Sequence, residues 1–180
     1  GIQQYVYLPC TFSVVANSGA AESKGAEFEM DVGVIDHLTL NISLGYEKAE
    51  ITEATQQSRT VVGQPLTGVP KFSGSATAQY LIPLGSKTAF VRGQFEYTGS
   101  RTSFNNVAPP VGRALGSYST LNLRTGVNAG PWEFTLFASN LFDKRGVIGD
   151  LIPEGAELPG RPKLFVVRPR TVGVEAKREF

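Results

Sequence analysis

Apolar and polar positions alternate along most of this chain, and the alternation predicts strands. From Leu38 to Glu47, the residues Leu38, Leu40, Ile42, Leu44 and Tyr46 share one face of an extended segment, opposite small and polar side chains. The same period places Phe28, Met30, Val32 and Val34 opposite Glu27, Glu29, Asp31 and Gly33, and Ala76, Ala78 and Tyr80 opposite Ser73, Ser75, Thr77 and Gln79. Ala89, Val91, Gly93, Phe95 and Tyr97 oppose Arg92, Gln94, Glu96 and Thr98. Leu121, Leu123 and Val127 oppose Asn122, Arg124 and Asn128, and Trp132, Phe134, Leu136 and Ala138 oppose Glu133, Thr135 and Ser139. In the last segment Val172, Val174, Ala176 and Phe180 oppose Thr171, Glu175, Lys177 and Glu179. One face suits lipid and the other water. A half-buried strand of a soluble protein can alternate in the same way, so repetition along the chain carries the weight.

The links between these segments alternate in length. Short ones lie near Ile35-Asp36-His37, Leu84 to Lys87 and Ala129-Gly130-Pro131, and long ones run from about Ile51 to Val69, Thr102 to Gly116 and Phe142 to Arg168. A barrel with two distinct membrane sides has this asymmetry, with the long loops outside. The last strand then descends and leaves Phe180 on the periplasmic side. Tyr46, Tyr80, Tyr97, Trp132 and Phe180 fall near predicted strand ends, where aromatic rings suit a polar boundary. The first stretch, Gly1 to Asn17, is less regular and is read as two more strands around Pro9-Cys10, about nine in all.

Composition sharpens this picture by exclusion. The longest aliphatic or aromatic run, Leu164-Phe165-Val166-Val167, is far short of the roughly 20 residues of a transmembrane helix. A net charge of +1, with no Lys/Arg run interleaved with aromatics, gives no ground for a nucleic-acid partner. The single Cys10 cannot form an internal disulfide or a cysteine metal cluster, and His37 is the only histidine, in a short turn. No nucleophile, base or zinc arrangement can be built from them, so no enzyme, cofactor or metal is expected. The chain starts at Gly1 without a signal sequence and reads as a fragment or mature segment of one domain, 1–180.

From about Asn17 to Phe180 the chain resembles the TonB-dependent outer-membrane receptors. The residues carrying this are Gly25-Ala26-Glu27-Phe28-Glu29, Leu44-Gly45-Tyr46 followed by Ala49-Glu50, and Gly68-Val69-Pro70-Lys71-Phe72. They are followed by Asn140-Leu141-Phe142-Asp143-Lys144-Arg145 and Arg168-Pro169-Arg170-Thr171-Val172-Gly173. The most specific combination is Asn-Leu-Phe-Asp-Lys-Arg after an aromatic strand, then a long loop and an Arg-Pro-Arg start to a final strand ending in Phe180. Arg178 departs from the pattern, because the terminal assembly signal of such barrels usually carries an aromatic or apolar residue there.

The resemblance implies an all-β fold: an antiparallel transmembrane β-barrel in which this chain supplies about nine C-terminal strands of a cylinder of about 22. The N-terminal plug and the remaining strands would lie outside the chain, and so would the segment that engages the TonB complex. Outer-membrane lipid, the barrel assembly machinery acting on Phe180, and a small-molecule ligand complete the implied partners. Barrel glutamates of the family pair with plug arginines, for which Glu27 and Glu29 are the best matches, and water-facing lumen charges are the bland alternative. The ligand candidates on the long loops are Arg59, Arg113, Arg145 and Arg161, mixed with acids rather than gathered into a patch. The implied function is energised uptake of a scarce nutrient, whether siderophore, cobalamin or carbohydrate. Two alternatives remain at this stage: a soluble all-β binding module with a dry core, and a small autonomous outer-membrane barrel.

Overall fold

The computed structural model describes residues 1–8, 13–17, 19–56, 60–103, 113–151 and 163–179. Its elements in chain order are β1 (Gln3–Tyr7), β2 (Ser13–Asn17), β3 (Ala20–Ile35), β4 (Leu38–Glu53), β5 (Phe72–Leu84), β6 (Lys87–Thr98), β7 (Arg101–Thr102) and β8 (Ala114–Leu115). These are followed by β9 (Tyr118–Ala129), β10 (Trp132–Ser139), β11 (Val147–Leu151), β12 (Lys163–Val166) and β13 (Thr171–Arg178). Seven of them form one antiparallel sheet in the order β13-β10-β9-β6-β5-β4-β3. These are the seven segments with clean alternation, joined as neighbours in sequence order. No helix of the described residues is long and apolar enough to cross a membrane.

Register explains why alternation is so regular. Val32, Leu40, Ala78, Gly93, Leu123, Ala138 and Val172 lie directly opposite one another across the whole sheet. The next row toward the short links joins Leu38, Tyr80, Val91, Thr125, Leu136 and Val174. A one-residue slip in any strand would move its whole apolar set to the other face, so keeping one face apolar throughout specifies the register. Thr125, the one aliphatic hydroxyl in this row, donates to the Phe90 carbonyl at 2.9 Å, which satisfies it locally. Apolar positions of β5 run from Phe72 to Ile82, matching the roughly 9–11 residues with which a tilted strand crosses a bilayer.

Among the described residues nothing covers this apolar face. Phe95 is 45% exposed, Leu136 51% and Val174 82%, values that a dry core does not permit. Among the described residues the buried hydrophobics are Ala49, Ile51 and Leu115, which lie at the long-loop end, with Ala49 and Ile51 on the polar side of β4 rather than on its apolar face. The soluble-module alternative requires the apolar faces to form a core, and the sheet has none. The sheet is also unclosed, with β3 and β13 as its edges. The small autonomous barrel would need those two to pair.

The three inner links are tight. Asp36-His37, Gly85-Ser86 and Gly130-Pro131 each join adjacent strands, with His37 (φ 68°), Gly85 (φ 64°) and Gly130 (φ 63°) in the left-handed region. The two strands expected before residue 17 exist, but they pair with each other in a separate hairpin, so the nine divide into seven of the wall and two beside it. Two further small sheets, β7-β8 and β11-β12, fold within the second and third long loops. Their pieces are too short for a two-residue period to stand out, and Leu164-Phe165-Val166, read only as a hydrophobic run, belongs to β12.

Candidate functional site

The polar face is a layered set of side chains held by neighbours across strands and by neighbours two residues along the same strand. Arg124 donates to Glu175 at 2.7 Å, Ser23 to Glu47 at 2.7 Å, Gln94 to Glu96 at 2.9 Å and Thr120 to Glu96 at 3.3 Å. Asn41 donates to Asp31, Thr135 to Glu133 at 3.2 Å and Lys177 to Glu179 at 3.2 Å. Glu27 and Glu29 differ. They lie opposite Gly45 and Ser43, and neither makes a hydrogen bond or ion pair among the described residues. The two acids singled out by the Gly-x-Glu-x-Glu pattern are therefore open on the polar face.

At the long-loop end the three loops interlock. The Gly68 amide of the first donates to the Thr102 carbonyl of the second at 2.9 Å. Arg101 reaches from the second loop into the third, donating to the Val147 carbonyl at 3.0 Å while its guanidinium lies 5.6 Å from the Tyr118 ring centroid. Arg113 meets Asp150 at 3.5 Å, and the Asp150 side chain is 1% exposed with no hydrogen bond to either oxygen. The first loop folds back on its own strand: Leu66 donates to Ala49 and Ile51 to Gln64, both at 2.9 Å, which buries Ala49 and Ile51. Arg101, Thr102 and Asp150 carry this junction without any motif to flag them; a lone acid in the apolar Val147-to-Leu151 stretch was the sole sequence signal.

The Asn140-to-Arg145 turn locks the third loop to the wall. Asn140 is 4% exposed and adopts φ 48°, a conformation that asparagine tolerates. Its amide nitrogen Nδ2 donates to the carbonyls of Lys144 (3.0 Å) and Arg168 (2.8 Å), while Oδ1 accepts from the Lys144 amide at 2.9 Å. Asp143 (φ 50°) accepts from the Arg170 amide at 2.9 Å and from Arg145 at 3.1 Å. The Arg170 hydrogen bond first, and Arg145 second, hold its carboxyl below the usual range. The segment Arg168 to Arg170 is thereby pinned beside the end of β10, which sets where β13 begins.

Of the arginines expected at the loops, Arg113 pairs with Asp150 and so ties the second loop to the third, while the more exposed Arg145 pairs with Asp143 inside its own turn. Arg59, Arg161 and Phe180 lie outside the described residues, as do Cys10, Pro109 and Pro110. Arg178, the departure from the terminal pattern, faces the apolar side and lies 5.4 Å from the Trp132 ring centroid. His37 sits in its two-residue turn, and no cluster of three or more metal-ligating side chains exists among the described residues.

The sequence model of the family described as TonB dependent receptor-like, beta-barrel matches residues 2–141. No curated protein sequence matches the chain. Among solved structures, the ferric yersiniabactin uptake receptor FyuA of Yersinia pestis is similar with a TM-score of 0.77 at 20% identity, covering 93% of this chain and 25% of that one. The siderophore receptor PiuA of Acinetobacter baumannii follows with a TM-score of 0.68 at 19% identity, covering 97% of this chain and 24% of that one. BauA, the ferric preacinetobactin receptor of the same organism, gives 0.66 at 17% identity, covering 98% of this chain and 25% of that one. The chain thus spans about a quarter of the length of these receptors. At such identities the likeness concerns the fold alone. A two-faced sheet, turns at one end and loops at the other, and the match over most of the chain agree: this chain belongs to the TonB-dependent receptor β-barrel family, as part of a receptor barrel.

Proposed function

We propose that this chain is the C-terminal part of the barrel of an outer-membrane receptor that takes up a scarce nutrient using energy delivered through TonB. The observation that carries this reading is the seven-stranded wall itself, apolar and uncovered on one face, polar on the other, with tight turns at one end and interlocked loops at the other. Such a wall fits hydrocarbon outside and a watery, plugged lumen inside. An external ligand meets the loops. A plug supplied by other parts of the receptor closes the lumen, and its rearrangement, driven by TonB, admits the ligand to the periplasm. Glu27 and Glu29, lacking partners on the lumen face, are the contacts for plug arginines, because an unpaired carboxylate gains most from a charged hydrogen bond. Arg59, Arg113, Arg145 and Arg161 are the ligand candidates at the mouth. Of the similar structures named above, one is called a siderophore receptor and two are receptors for ferric ligands, which puts a ferric siderophore first, ahead of cobalamin and carbohydrate.

The test compares cells with and without the gene for uptake of three labelled probes: a ferric siderophore, cobalamin and an oligosaccharide. Uptake of one probe that needs the gene and stops when a protonophore collapses the proton gradient is the expected result. Uptake that needs the gene but survives the protonophore would sink the energised mechanism. For the plug contact, a Glu27→Gln, Glu29→Gln double variant is expected to admit a hydrophilic antibiotic that the wild type excludes; unchanged exclusion and uptake would remove both residues from that role.

A further inference from the structure

The membrane-facing side of β3, β4 and β5 carries a feature that neither ligand uptake nor plug contact uses. Just inside the loop end, a groove of about 550 Å³ opens on the apolar face. Its floor is the row Phe28–Leu44–Gly74–Tyr97, in which Gly74 is a notch between two large neighbours. A Cβ there would come within 2.8 Å of Leu44 Cδ2 and 2.9 Å of the Ser43 carbonyl oxygen, so only glycine fits beside Leu44 at this point. Tyr46 and Phe72, with ring centroids 5.0 Å apart, bound the groove toward the loops, and Phe95 bounds it on the other side.

Directly beyond the aromatic pair, on the same face, Lys24 and Lys48 lie opposite each other across β3 and β4. Two like charges in register repel. Each is tied to a glutamate two residues farther from the groove, Lys24 to Glu22 and Lys48 to Glu50, both at 2.9 Å. All four side chains are solvent-exposed to a third or more, so these pairs hold weakly and exchange readily. The order from the loops inward is acid pair, lysine pair, aromatic pair, apolar groove. That is the order in which a membrane leaflet presents water, phosphate, interface and acyl chains.

We infer that this face holds one phosphate-bearing lipid of the outer leaflet, with an acyl chain in the groove at Gly74 and its phosphate on Lys24 and Lys48. The inference rests on the reading of the sheet as a membrane wall. A bound phosphate would relieve the repulsion between the lysines, and the notch would fix one chain where a smooth wall would let it slide.

The test extracts the protein from outer membranes in mild detergent and measures retained phosphorus and fatty acid per chain, with native mass spectrometry for stoichiometry. The wild type is expected to keep one lipid. The Lys24→Gln, Lys48→Gln variant should lose affinity roughly thirtyfold, about tenfold or less for each lysine alone. Ala76→Leu, which fills the groove from the row next to Gly74, should lose the lipid while keeping both lysines. A heat-dependent gel shift equal to wild type confirms that each variant is folded. Protein that sits in the membrane but carries no lipid, carries phosphate without fatty acid, or carries equal lipid in all variants overturns this inference alone. Protein absent from the membrane fraction overturns the wall reading beneath it.

Discussion

Asn140 occupies the position where a buried side chain substitutes for missing backbone pairing. The wall strand ends there, the chain reverses, and three backbone groups of the turn would face the interior without partners if the amide were absent. Leaving a buried polar group unmet costs about 1–3 kcal/mol, and the left-handed backbone adds about 1–2 kcal/mol for alanine. Asn140→Ala is therefore expected to be strongly destabilising, by about 3 kcal/mol or more, read as a lower temperature for the heat-dependent gel shift. Asn140→Gly removes the backbone cost alone and should fall between; if it equals Ala, the conformation contributes nothing. Asp143 makes the same turn pH-dependent. Because folding lowers its pKa, the ionised carboxylate adds stability above the ordinary carboxylate range, and this contribution disappears as pH falls through the lowered native value. Hydrogen exchange at Arg170, whose amide donates to Asp143, corrected for intrinsic rate, should lose protection across that acid window in the wild type. In Asp143→Ala it should be weak at every pH, and a pH-independent wild type would exclude Asp143 as the cause.

Strands are where packing of glycine against aromatic rings decides the outcome. Phe137 lies over Gly173 of the neighbouring strand, where a Cβ would meet its ring at 2.6 Å, and Phe90 lies over Gly126, where a Cβ would meet the ring at 2.8 Å and the Phe134 carbonyl oxygen at 2.5 Å. Gly173→Ala and Gly126→Ala should each cost about 1–3 kcal/mol through overpacking. Adding Phe137→Ala should recover the Gly173 variant, since only a side chain obstructs it, whereas Phe90→Ala should not recover Gly126, where backbone remains in the way. Equal rescue of both would refute the distinction. These contacts also mark how far sequence carries. The seven wall strands were legible because one apolar face runs uninterrupted through Leu40, Ala78, Leu123 and Val172, so a period of two survives in each. The hairpins inside the loops were not, since Arg101–Thr102 and Ala114–Leu115 are pairs too brief to show any period. Glu27 and Glu29 were found by pattern. That they lack partners while Asp31 and Glu47 on the same two strands have them depends on which residues lie beside each, a fact of register rather than of composition.

At the scale of the whole molecule, the decisive property is that the sheet has two environments and no core of its own. The edge strands β3 and β13 leave backbone groups unpaired, each costing several kcal/mol in hydrocarbon, so in a membrane further strands must continue the wall. Orientation then follows from parity, with every tight turn on one side and every long loop on the other. Single cysteines in a Cys10→Ser background test both claims in cells. Gln94 and Phe95 are adjacent in β6 but project from opposite faces. Gln94→Cys should react with a small hydrophilic maleimide and Phe95→Cys only with a lipid-soluble one; were the apolar faces a dry soluble core, Phe95→Cys would resist both. Lys144→Cys, in the loop lock, should label on intact cells with an impermeant reagent, and Ser86→Cys, in an inner turn, only after the outer membrane is opened. If Ser86→Cys labels first, the wall is inverted and the long loops cannot meet an external ligand. If both label without opening the cell, the chain does not separate two compartments, and the reading as a receptor wall fails with it.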